Sequence, residues 1–81
     1  MRTLSSVIAL ENNRLQCTFD SGETKIADIS SYINAPVFAP LKQGSAFKKV
    51  SNKKYFIEWE DYELDLSADT LWHISVYTVV R

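Results

Sequence analysis

Residues 55–72 read YFIEWEDYELDLSADTLW, and two patterns run through them at once. Apolar side chains recur at every second position, at Tyr55, Ile57 and Trp59 and again at Tyr62, Leu64 and Leu66. Six carboxylates share the stretch with no basic residue. A period of two is the mark of half-buried strands. Folding the segment back at Glu60-Asp61 makes a hairpin in which Trp59 faces Tyr62, Ile57 faces Leu64 and Tyr55 faces Leu66 on one side. Glu58 then faces Glu63, and Phe56 faces Asp65, on the other. One register collects the apolar set on a core face and sends the acids to water, leaving Glu58 and Glu63 as a mildly unfavourable like-charge pair.

Acid clusters also serve metals and acid/base chemistry, and the sequence argues against both here. A calcium loop of the EF-hand kind needs acids at alternating positions followed by a glycine, and this segment has none. A glycosidase needs two carboxylates in different environments across a sugar cleft, which a chain of 81 residues has little wall to build. A solvated face is therefore the first reading, docking of a basic partner the second, and a metal site or small enzyme the third.

Working outward, the rest of the chain also reads as strands and tight turns. SVIAL and RLQCTF flank Asn12-Asn13, which tolerate the left-handed angles of a two-residue hairpin turn. RLQCTF alternates, with Leu15, Cys17 and Phe19 on one face. DSGE supplies a second turn, where Gly22 takes a positive φ, and TKIADI is the third strand. In the middle, Ser30 or Ser31 caps a single helical turn, while Pro36 and Pro40 forbid a long helix. APVFAPLKQG is expected to form one or two short turns that lay Phe38 and Leu41 over the sheet, ending at Gly44. AFKKV, a turn at Ser51-Asn52, and KYFIEWE return to strand. The tail WHISVYTVVR, rich in β-branched and aromatic residues, predicts a further strand over about 73–80. It either joins the chain's own sheet or pairs with a second copy, in a homodimer through Trp72 and Tyr77. The fold class is α+β: one domain over 1–81, a small, mostly antiparallel sheet of about five or six strands in hairpins, with one or two helical turns on one face.

Composition narrows the function. Net charge is −1 and charged residues make up 23%, which excludes a strongly basic nucleic-acid binder read from overall balance. Lys48, Lys49, Lys53 and Lys54 nevertheless cluster beside Phe47, Tyr55 and Phe56, and basic groups among aromatics can hold single-stranded nucleic acid. Lysines around a hairpin turn more often guard strand edges, so nucleic-acid binding is the alternative and not the leading reading. The single cysteine, Cys17, reads as a buried free thiol in a reducing, cytoplasmic compartment. His73 has no second histidine with which to begin a zinc site or a triad. No apolar run is long enough to span a membrane. No catalytic, cofactor-binding or metal-ligating residue is expected, and no cofactor.

Taken together, LQCTFDSGETKIADIS, PVFAPLKQGSAFKKV and IEWEDYELDLSADTLW resemble the bacterial domain of unknown function family 2442 over about residues 14–72. The matching positions are Phe19, Gly22, Asp28, Pro36, Phe38, Leu41, Phe47, Trp59, Asp65, Asp69 and Leu71. The chain departs from the family pattern at EDY, where members often carry a glycine turn, and at Ala68, where they often carry proline. The resemblance implies a small α+β domain without an established activity, some of whose members lie beside genes arranged like toxin–antitoxin pairs. The resulting expectation is a non-catalytic protein-interaction module, an antitoxin-like or accessory partner of another small protein. Its candidate partner-binding residues are Lys48, Lys49, Lys53, Lys54, Glu58, Glu63, Trp72 and Tyr77.

Overall fold

Two antiparallel sheets share one core in the computed structural model, which describes residues 2–77. Strands β1 (Leu4–Leu10), β2 (Arg14–Phe19) and β3 (Thr24–Asp28) form a meander. Helix α1 (Ser30–Ile33), a 3-10 segment (Pro36–Lys42) and α2 (Gly44–Phe47) carry the chain to a second meander of β4 (Ser51–Asn52), β5 (Phe56–Trp59) and β6 (Leu64–Ser67). Helix α3 (Ala68–Ile74) then returns the chain to the first sheet, where β7 (Ser75–Tyr77) pairs antiparallel with β3. The sheet orders are β1-β2-β3-β7 and β4-β5-β6. The α+β, mostly antiparallel class is as the alternation predicts, but the strands divide between two sheets where a single one was expected.

The first meander follows its sequence closely. Leu15, Cys17 and Phe19 are fully buried, and the residues between them line the other face. Asn12 and Asn13 both take φ near +60°, and Gly22 takes +98°. Each loop is one residue longer than a two-residue turn, since Leu10 pairs with Arg14 and Phe19 donates to the Glu23 carbonyl. Before α1, neither Ser30 nor Ser31 caps. Instead Asp28 Oδ1 accepts from both the amide and the hydroxyl of Ser30, at 2.9 and 2.6 Å.

The second meander corrects the expected register. Trp59 pairs with Leu64, Ile57 with Leu66, Glu58 with Asp65 and Phe56 with Ser67. The loop is four residues, a 3-10 turn over Glu60–Tyr62 closed by Glu63 in the left-handed region. A shift of two residues preserves every strand residue's face, because the side-chain period is two. Tyr55 and Tyr62, expected in the core, stand exposed.

Three other expectations change. AFKKV is not a strand: Ala46 and Phe47 are adjacent and both buried, which a strand with one face in water cannot arrange and a helical turn can. Gly44 therefore opens α2 instead of ending the segment before it, and Ser51-Asn52 is strand β4, the turn falling at Lys54-Tyr55. In the tail, Trp72, His73 and Ile74 belong to α3, whose N-terminus is capped by Ser67 accepting from the Thr70 amide at 3.1 Å. Ala68 and Leu71, three apart, bury its inner face. The expected strand survives as Ser75–Tyr77 on the chain's own sheet, and its remainder lies outside the described residues.

The core draws on both sheets: Leu4, Leu15, Cys17 and Phe19 from one, Ile57, Trp59, Leu64 and Leu66 from the other. Backbone and side-chain bonds tie them further. Leu4 donates to the Lys54 carbonyl at 2.8 Å, Asn52 Nδ2 to the Leu4 carbonyl at 2.9 Å, and buried Trp59 Nε1 to the Phe47 carbonyl at 2.8 Å.

Candidate functional site

The basic and acidic blocks, separate in sequence, meet in space. Lys49 Nζ lies 3.6 Å from Asp61 Oδ2, and Lys53 pairs with Glu60. The hydrogen bond to Glu60, then its charge, and more weakly that of Glu58, hold the Lys53 ammonium above its ordinary pKa. Both pairs are exposed and so contribute little to stability, but they neutralise half of the lysine cluster locally. Lys48 and Lys54 make no ion pair among the described residues, and Lys54 holds a positive φ of 77° at the β4–β5 turn. Glu58 is half-buried on the outer face of β5, beside Asp65, while Glu63 is in the loop. The eight candidate residues thus do not form one site.

Trp72 and Tyr77 meet at a corner that the sequence reading missed. Their rings stand edge to face at 6.2 Å, and Phe19 packs against Trp72 at 4.9 Å. Over Trp72 lie two cations, the Arg2 guanidinium at 3.5 Å and the Lys25 ammonium at 3.9 Å from the ring centre. Lys25 is buried, donates to the Trp72 carbonyl at 2.8 Å and sits 4.8 Å from the Tyr77 ring, so aromatic faces and a carbonyl surround the ammonium in place of a direct ion pair. Glu23 closes the corner, accepting from the Tyr77 hydroxyl at 3.3 Å. Its carboxyl is held below the usual range, first by the Ser21 hydroxyl and then by Tyr77, Arg2 and Lys25. The signal was available. Ala27 faces the core, and in a strand Lys25, two residues earlier, must face it too.

Cys17 is buried, and loss of solvation pushes its thiol from 9.0 up to about 11, the opposite of an activated nucleophile. Among the described residues no three His, Cys, Asp or Glu side chains gather as metal ligands, and no helix is long and apolar enough to cross a membrane. What the four-stranded sheet does present is an open face. Ile8 pairs with Gln16, Gln16 with Ile26, and Ile26 with Val76, giving a row across all four strands without a charge. Ile8 is 50% and Val76 67% exposed.

A family model described as protein of unknown function (DUF2442) matches residues 4–77. The chain belongs to this family. The match runs from the first residue of β1 to the last of β7, so the family unit takes in both sheets and is wider than the stretch 14–72 that carries the resemblance. No curated protein and no solved structure matches the chain.

Proposed function

We propose that this member of the family is a non-catalytic protein-interaction module, working in the cytoplasm as an antitoxin-like or accessory partner of another small protein. The observation that supports it is the uncharged row of Ile8, Gln16, Ile26 and Val76 on the open sheet face. Contiguous exposed apolar surface marks interaction sites more often than isolated apolar residues do. The nucleic-acid alternative loses ground because Lys49 and Lys53 are already paired with Asp61 and Glu60. The test is co-expression with the product of the adjacent reading frame. That protein is expected to co-purify with the wild-type chain and to be lost from an Ile8→Arg/Val76→Arg variant that still melts cooperatively. Undiminished co-purification with the variant removes the row from the interface and the support from this reading.

A further inference from the structure

Strand β1 is the longest strand among the described residues, lies at a sheet edge, and has the sequence LSSVIAL, with no charge and no proline. Edge strands of this kind are normally blunted, because their unpaired backbone groups template another strand. Here the groups can be assigned. Phe19 donates to Glu23, so the odd residues of β2 bond to β3, and its even residues bond to β1. Through the pairs Ser6–Thr18, Ile8–Gln16 and Leu10–Arg14, the even residues of β1 are satisfied inward. Val7 and Ala9 therefore turn their amides and carbonyls outward. At one end the edge is closed, where Leu4 bonds to Lys54 beside a register irregularity between Leu4 and Ser6. At the other it opens into a cleft of about 750 Å³, lined by Ala9, Leu10 and Arg14 on the hairpin side and by Gly44, Phe47 and Lys48 on the α2 side.

We propose that the outer edge of β1 accepts an extended segment of a partner protein as an added strand, lying in the cleft with an acidic residue toward Lys48. The edge is closed at Leu4 and leaves only Val7 and Ala9 with outward backbone groups, which suits a single short extended peptide better than a second folded copy. Main-chain bonds to Val7 and Ala9 supply affinity, and alternate side chains supply selection, as in other cases of strand addition. Charge favours an acid: the cleft carries Arg14 and Lys48, neither in an ion pair among the described residues, against the single carboxylate of Glu11, so an acidic residue on the incoming strand is drawn into it. This inference rests on the interaction reading but uses the sheet's edge, not its open face.

The test is an array of heptapeptides varying in charge and in their alternate apolar positions, screened with the full chain. Acidic, alternating peptides are expected to bind, to shift and protect the Val7 and Ala9 amides in NMR hydrogen exchange, and to lose binding when N-methylated on the edge-facing side. Lys48→Glu should weaken the best peptide at least tenfold. Absence of any binder, equal binding by N-methylated peptides, or shifts confined to β7 or to Ile26 each overturns the proposal. Protection of Val7 and Ala9 that grows with protein concentration alone, with a doubled mass, assigns the edge to a second copy and overturns it too. The adjacent-frame co-purification is scored separately, so loss of the edge proposal leaves the open-face reading standing on its own result.

Discussion

Glu63 sits at φ 54° and ψ 40°, a left-handed conformation that costs a non-glycine residue about 1–2 kcal/mol. The position is where the loop after Tyr62 must reverse to enter β6, so the strain follows from a four-residue loop built without glycine. Glu63→Gly removes the steric cost but adds freedom to the unfolded chain, and should raise stability by roughly 0.5–1 kcal/mol in urea melts. Glu63→Gln, which the two-residue turn predicted to stabilise, should do nothing, since Glu63 does not face Glu58. Asp65 does, and Asp65→Asn should gain about 0.3 kcal/mol. A stabilising Glu63→Gln together with a neutral Asp65→Asn contradicts this register. Cys17 makes a second prediction, one of pH. Its thiol is raised in the folded chain, so the unfolded chain releases the proton first as pH climbs past 9.0. Its contribution is fully present below that point and is lost as pH rises through about 11. The loss is on the order of 2–3 kcal/mol. Cys17→Ala, whatever its stability at neutral pH, should show a correspondingly shallower decline in this window.

At the scale of elements, what the sequence made legible was the local and periodic part. Leu15, Cys17 and Phe19 alternate without a break, and Asn12-Asn13 and Gly22 mark the reversals, so β1 to β3 could be placed from residues close in the chain. Helix α3 could not be placed by propensity, because LWHISVY is rich in strand formers. The Ser67 cap and the buried pair Ala68 and Leu71 outweigh that preference, and only the cap is visible without the core. The same limit governed the candidate sites: the lysines were visible, but their neutralisation by Glu60 and Asp61 depends on a contact between two loops. Trp72 shows how α3 is fastened, with its ring against Phe19, Arg2 and Lys25. Trp72→Ala should cost about 2–3 kcal/mol, less than a fully buried tryptophan because the ring is half-exposed. Lys25→Met should stay within about 1 kcal/mol of wild type, since the buried charge leaves together with its desolvation penalty. The Trp72 carbonyl keeps a donor in Ser75 Oγ at 3.2 Å. A loss of several kcal/mol in Lys25→Met, equal to that of Trp72→Ala, contradicts the view that packing of the rings, not the Lys25 charge, holds this corner.

For the molecule as a whole, the question is whether two sheets make one folding unit or two. The second sheet has strands of two, four and four residues, too little to bury a face by itself. Its inward residues Ile57, Trp59, Leu64 and Leu66 belong to the same cluster as Leu4, Leu15, Cys17 and Phe19. The bonds from Leu4 and Asn52 cross between the sheets, and Ala68 extends the β5–β6 ladder into α3 by donating to the Tyr55 carbonyl at 2.8 Å. Losing either sheet would expose the core face of the other, so unfolding should be a single transition. The two tryptophans make this measurable. Trp59 is buried in the second sheet, and Trp72 lies on α3 against Phe19 of the first. Trp72→Phe leaves Trp59 as the reporter of the second sheet, and Trp59→Phe leaves Trp72 as the reporter of the first. Trp59→Phe also strips the Phe47 carbonyl of its donor, so its midpoint should fall by the equivalent of about 1–3 kcal/mol. The informative comparison is therefore within each variant, between tryptophan fluorescence and far-ultraviolet circular dichroism over the same urea series. Coincident curves are expected in both. A fluorescence transition in Trp72→Phe that precedes loss of the circular dichroism signal would mean that the second sheet opens by itself.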